Sequence, residues 1–231
     1  GEAIRFGVFT MKKLILLGAM AAVVGSANAA VVYSQNWDGG LVASGWTATD
    51  DNGSGVIWGD MSATLDDNYA STIAADQSNA PIANSDAFGA ASNGFDTSLR
   101  SGVISLAGFT NAAMTFDVNF QAFVDNSGDQ LEVMASADGS NWTVLDTYAT
   151  DTPVGGTYVL NSGVTKAYSL SAFDGGNLFL RFRYVDPTPG AWEWYAQVDN
   201  LVVTADAVPE PASMVALGAG LLALARRRRS K

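Results

Sequence analysis

Between Ala113 and Phe120, Met114, Phe116, Val118 and Phe120 are apolar, while the residues between them, Thr115, Asp117 and Asn119, are polar. A period of two puts the two sets on opposite faces of an extended strand, so this stretch predicts a half-buried β-strand and excludes an amphipathic helix. The pattern recurs along the chain. Leu131, Val133 and Ala135 alternate within Asp129 to Ala135, and Asp138-Gly139-Ser140-Asn141 reads as a hairpin turn into a strand from Trp142 to Tyr148. Leu178, Leu180, Phe182 and Tyr184 make another apolar face, and a last strand runs from Trp194 to Thr204. Tyr33 to Trp37 reads as the opening strand. No stretch of this region keeps a helical period beyond two turns, and no βαβ spacing occurs. Short strands separated by Gly, Asn and Asp turns predict an all-β domain, an antiparallel β-sandwich of jelly-roll type.

One stretch resists that reading. Ala74 to Gly94 is polar and rich in Ala, Ser and Asn, longer than a structureless loop in a compact domain should be. Either it covers one face of the sandwich as a binding loop, or it hides a strand.

The chain contains no histidine and no cysteine. Ser-His-Asp and Cys-His catalysis, His-ligated zinc, thiolate clusters and disulfides are therefore excluded, and a metal would have to be held by oxygen. Nineteen of the 23 acids are aspartate, a residue suited to turns and hard-cation sites. From Ala30 to Asp206 the only basic residues are Arg100, Lys166, Arg181 and Arg183 against 21 acids, a net charge of −17. Such a surface lacks the basic footprint that nucleic acid binding requires.

The remaining basic residues lie in two terminal segments. Met11-Lys12-Lys13, an apolar run from Leu14 to Val24 and the small-x-small signal Ala27-Asn28-Ala29 make a secretory signal peptide. Residues 1–29 thus comprise a short upstream stretch and a cleaved, helical leader, 30–206 the sandwich domain, and 207–231 a separate C-terminal segment. In that last segment Val208-Pro209-Glu210-Pro211 precedes an apolar stretch from Ala212 to Ala225 and then Arg226-Arg227-Arg228-Arg229-Ser230-Lys231. Its fourteen apolar residues would reach about 21 Å as a helix, short of a ~30 Å hydrocarbon core, so as a transmembrane helix it would be a weak permanent anchor with a strong cytoplasmic retention charge.

This tripartite tail resembles the PEP-CTERM sorting signal. The resemblance implies that Pro209, Glu210 and Pro211 are the sorting motif read by an exosortase-type membrane processing enzyme. It also implies export in a Gram-negative bacterium through an inner-membrane intermediate, and delivery to the cell surface or an exopolysaccharide matrix. The middle of the chain carries a second likeness. Gln35-Asn36-Trp37-Asp38, the hairpin Glu132 to Leu145, Leu178-Phe179-Leu180-Arg181-Phe182-Arg183-Tyr184 and Val198-Asp199-Asn200-Leu201 are similar to the MAM-like jelly roll of cleaved-adhesin and choice-of-anchor domains. That likeness implies a structural Ca2+ ion to which Asp38, Asp199 and Asn200 contribute, although Asn200 could instead bond the backbone. Asp50-Asp51-Asn52-Gly53 resembles part of a calcium loop without the downstream glutamate, and reads as a turn.

Glycosidase chemistry would need paired carboxylates with one pKa raised, and Glu132 and Glu193, the only glutamates of the domain, sit in no evident environment of that kind. No catalytic residue is therefore expected. A ligand-binding set has better materials: Phe179, Arg181 and Arg183 share the face opposite Leu180 and Phe182, with Trp192 and Trp194 on a neighbouring strand. Aromatic rings stack on sugar faces and arginines pair with uronate carboxylates, a combination suited to an exopolysaccharide. The competing explanation, that the tryptophans fill the core and the arginines pair with nearby acids, is the favoured one. The sequence thus points to an adhesive or structural surface protein, with a carbohydrate-binding module as the alternative and a glycoside-active enzyme as a remote third.

Overall fold

The structure, a computed structural model, describes residues 29–60, 79–85, 93–121, 128–149, 164–189, 194–208 and 211–229. Almost all of the leader lies outside them. In chain order the elements are β1 (Ala29–Gln35), a short helix α1 (Leu41–Ser44), β2 (Thr47–Asp50), β3 (Gly59–Asp60), β4 (Pro81–Asn84), β5 (Asn93–Arg100), β6 (Ile104–Ser105) and β7 (Phe109–Gln121). There follow β8 (Gln130–Ser136), β9 (Thr143–Tyr148), β10 (Val164–Ser169), β11 (Asn177–Pro189), β12 (Tyr195–Ala207) and helix α2 (Pro211–Arg229).

The strands form two antiparallel sheets. The first has the order β10-β7-β12-β4-β3, with β1 added beside β12, and the second has the order β2-β5-β11-β8-β9, with β6 added beside β11. The inner faces are the ones the alternation predicts. Met114, Phe116, Val118 and Phe120 of β7 are fully buried, as are Leu178, Leu180, Phe182 and Tyr184 of β11 and Leu131, Val133 and Ala135 of β8. Phe116 and Phe182 meet edge to face across the sandwich, 4.9 Å between ring centres, and Trp46 stacks on Phe182 at 5.9 Å. The all-β sandwich is thus the observed architecture, with α2 as the expected C-terminal helix. No helix among the described residues is long and apolar enough to cross a membrane.

Two bulges keep β12 in phase with the core. Three steps from Asp199 to Val202 oppose two from Asp117 to Thr115, and the extra residue is absorbed at Asn200, whose φ is 50°. Val198 and Leu201 can therefore both point inward, which strict alternation forbids. Between Thr204 and Asp206 the extra residue lies on β7 instead, at Asn111 with φ 54°. Asparagine tolerates this left-handed conformation better than most side chains do.

The stretch from Ala74 to Gly94 does hold a strand. β4 pairs with β12 through Ala83 opposite Ala196 and Ile82 opposite Gln197, and all four of its residues are buried. A strand covered on both faces has no reason to alternate, so period two was absent from its sequence. The opening strand also starts earlier than Tyr33, at Ala29, because its pairing with β12 begins at Asp206.

Candidate functional site

β5, β11 and β8 lie side by side in the second sheet, and their outward residues are fixed by register. Arg181 of β11 stands opposite Arg100 of β5 and Met134 of β8, while Arg183 stands between Ser98 and Glu132. Two guanidinium groups facing each other across a ladder repel. Asp51, just past the end of β2, resolves the conflict: one carboxylate oxygen accepts from Arg100 Nη2 at 2.9 Å and the other from Arg181 Nη2 at 2.8 Å. Ser98 Oγ donates to Asp51 at 2.5 Å and accepts from Arg181 Nε at 2.7 Å. Arg183 binds Asp96 through two parallel bonds of 2.7 and 2.5 Å and Glu132 through Nη1 at 2.9 Å. Three of the four cations of the domain thus share one face with three carboxylates, and the cluster is neutral.

Protonation follows from this geometry. Partial burial of Asp51 would push its carboxyl up, but the Ser98 and Thr49 hydroxyls with Arg100 and Arg181 outweigh it and hold the group below its ordinary value. Arg181 is lowered, first by desolvation and then by Arg100, whereas Arg183 is raised by its bonds to Asp96 and Glu132.

At one end of the row lies an aromatic corner built on the β8–β9 hairpin. The Arg181 guanidinium carbon is 5.8 Å from the Trp142 ring centre. Phe179 packs over Gly139, where a β-carbon would come within 3.4 Å of two ring atoms; with φ 73°, that turn position requires glycine. The Asp138 carboxylate organises the turn by accepting from the Asn141 and Ser140 main-chain N–H groups at 2.7 and 2.8 Å.

The expected ligand-binding set is therefore only partly assembled. Phe179, Arg181 and Arg183 share a face, as their spacing predicts, but both arginines are committed to carboxylates. Trp194 is half-buried against Ile82 and Tyr195 of the first sheet, apart from this cluster, and Trp192 lies outside the described residues. From sequence Asp51 reads only as part of a turn, Arg100 only as one of the few cations and Trp142 only as the start of a strand, and Asp96 and Ser98 carry no expectation. The signal that could have found Asp51, Asp96 and Arg100 is charge scarcity, since so few cations among so many acids must find partners. The fourth cation, Lys166 on β10, lies elsewhere, its Nζ 5.5 Å from the Tyr148 ring centre.

The residues expected to hold calcium lie near the end of β1 and the bulge of β12. Asn200 donates its main-chain N–H to Asp199 Oδ1 at 2.7 Å and its side-chain amide to Asp117 Oδ2 at 2.9 Å, so it bonds the strand beside it. Asp38 accepts a short bond from the Asn36 amide. A cavity of about 210 Å3 lies between Ser34–Asn36 and Asn200–Val202. Among the described residues no three carboxylates converge on a point. The set fits calcium in the chemistry of its donors, but the ion would depend on amide and main-chain oxygens for most of its six to eight ligands. Asp50 to Gly55 is a turn, with Asp50 accepting from the N–H groups of Gly53, Ser54 and Gly55 at 2.8, 3.1 and 2.8 Å.

At the C-terminal end, Val208 donates its N–H to the Gly108 carbonyl at 2.8 Å, the last bond of the sandwich before the tail. Pro209 and Glu210 lie outside the described residues, and Pro211 opens α2, where a missing N–H costs nothing. The helix ends in Arg226 to Arg229. Comparison with known families decides what this segment is. Residues 207–229 match the PEP-CTERM protein-sorting motif. The matched segment therefore begins on the last residue of β12. Among solved structures, the sandwich resembles the K3 cleaved adhesin domain of Lys-gingipain from Porphyromonas gingivalis W83, with 21% identity and a TM-score of 0.54 over 77% of this chain and 99% of that domain. The K1 cleaved adhesin domain of the same protein gives 19% identity and a TM-score of 0.52 over 75% and 98%. At such identity the likeness establishes the fold alone. No curated protein sequence matches the chain.

Proposed function

We propose that this is an exported protein, held briefly at the inner membrane of a Gram-negative bacterium and processed there by an exosortase-type enzyme. It is then delivered to the cell surface or the exopolysaccharide matrix, where its sandwich acts as an adhesive or structural module without catalysis. The observation that carries this reading is a PEP-CTERM segment joined to the last strand of a cleaved-adhesin-like sandwich. The outer face of the second sheet supports a structural role, since each of its three arginines is paired with a carboxylate of the same face. Replacing Pro209 to Pro211 with alanine should leave export intact and trap the protein at the inner membrane. Cell fractionation checks this, and surface release equal to that of the native chain would overturn it.

A second reading, polysaccharide recognition, is favoured by the Phe179, Trp142 and Arg181 corner, where half-buried aromatic side chains adjoin a charged group. A glycan array with the mature domain separates the two readings: binding that is lost in Trp142→Ala supports recognition, and no binding supports the structural role. A bound calcium would belong to either. Stability should then rise with free calcium by about 2.7 kcal/mol at a hundredfold excess over Kd, and Asp199→Ala should remove the dependence. Equal melting temperatures in EDTA and in calcium would exclude the ion.

A further inference from the structure

The outer face of the second sheet has an apolar end and a charged end. Residues directly opposite in an antiparallel pair share a face, so the register sets out one row as Thr47, Arg100, Arg181, Met134 and Val144 and the next as Thr49, Ser98, Arg183, Glu132 and Thr147. Phe179, opposite Ser136, begins a third row on the other side of the first. Val144 is 45% exposed on the edge strand β9, Trp142 and Phe179 are half-buried, and Trp142 adjoins the Arg181 guanidinium. An aromatic and aliphatic strip thus borders a set of hydrogen-bonding groups, the combination with which a protein surface takes up a sugar ring.

Charge decides which sugar. Arg100 and Arg181 share Asp51, and Arg183 holds Asp96 and Glu132, so three guanidinium groups balance three carboxylates. A uronate entering here would add a further anion to a balanced set, in which each cation already holds a carboxylate, within a domain of net charge −17. Hydrogen-bonding capacity is nevertheless left over. Arg183 uses three of a guanidinium's five N–H groups, and Glu132 accepts at Oε2 alone. A hydroxyl can accept from the first and donate to the second without adding charge. Successive rows lie about 7 Å apart, so a chain of a few sugar rings spans from Phe179 to Arg183.

We propose that this corner takes an uncharged, hydroxyl-rich glycan, stacked on Trp142 and Phe179 and hydrogen-bonded to Arg183 and Glu132, and that the paired acids reject uronate-bearing chains. The proposal rests on polysaccharide recognition, the second reading of the domain. It departs from the expectation drawn from sequence, in which Arg181 and Arg183 pair with uronate carboxylates.

The test titrates the full chain with soluble hydroxyethyl cellulose, amylose and galactomannan, each beside the same polymer oxidised to a carboxylate at C6. Only binding that Trp142→Ala removes is counted, which sets aside anything held by the arginines at the end of α2. At low salt at least one uncharged polymer should bind about tenfold or more tightly than its oxidised form. Trp142→Ala should weaken that binding about tenfold and Trp142→Tyr less than about threefold, and added salt should leave it unchanged. Equal or tighter Trp142-dependent binding of the oxidised forms overturns the proposal while leaving recognition in place, whereas no Trp142-dependent binding to any polymer overturns both. Asp96→Asn, which removes one anion from the set and loosens Arg183, should shift the preference at least about threefold toward the oxidised polymer. An unchanged preference would show that the paired acids do not set it.

Discussion

The outer faces of the two sheets keep polar side chains in opposite ways. On the second, Arg100, Arg181, Arg183, Asp51, Asp96 and Glu132 are charged, part-buried and paired. On the first, the register places Gln121, Tyr195 and Asn84 in one row and Asn119, Gln197 and Ile82 in the next, all almost completely buried, with Gln121 donating to Asn119 at 3.2 Å. The difference follows from access to water. A charge retains much of its hydration at a half-exposed face and needs only a partner, whereas full burial penalises charge and favours amides.

Asn119→Ala should have the larger effect. It removes the acceptor of the Gln121 amide and opens a small void in a closed layer, for a loss of about 2 kcal/mol in chemical denaturation. The loss should not change with salt. Arg183→Ala should cost about 1 kcal/mol, discounted from the value for buried pairs because the side chains keep contact with water, and high salt should shrink the difference. Arg183→Lys should recover less than half, since lysine cannot reproduce the two parallel bonds to Asp96. Equal salt dependence in the two variants would break the proposed distinction between the faces.

The same contrast governs what could be read from sequence. β7, β8 and β11 each have a dry face and a wetter one, so alternation revealed them and placed Phe179, Arg181 and Arg183 together. β4 is buried on both sides, so its Pro-Ile-Ala-Asn looked like loop. The bulge at Asn200 was illegible because Val198 and Leu201 point the same way only after an extra residue is absorbed. Pairings were harder still. Asp51 lies 49 residues from Arg100 and 130 from Arg181, and only the closing of β2 against β5 brings them together. Charge scarcity told that the arginines would find partners, but nothing local told which. The sorting motif of the tail was legible, because such a signal is a linear motif and does not depend on a fold.

The smallest predicted effect tests whether the charged face is sustained by Asp51. Its carboxyl is held below the ordinary value of 3.8, with burial opposing the shift and Ser98, Thr49, Arg100 and Arg181 producing it. A group depressed on folding contributes stability that is fully present above its unfolded pKa and is lost as pH falls through the folded one. The melting temperature should therefore be insensitive to Asp51 between about pH 5 and 8, and its contribution should disappear only below about pH 4, where protonation leaves Arg100 and Arg181 facing each other without their shared anion. Asp51→Asn should lower the neutral plateau slightly and flatten part of the acid limb. Asn119→Ala, which removes no titrating group, should lower the whole curve without changing its shape. Melting curves at half-unit steps from pH 2.5 to 7 distinguish these outcomes. An acid limb of the same slope in Asp51→Asn and the native protein would mean that the two arginines do not depend on this carboxylate.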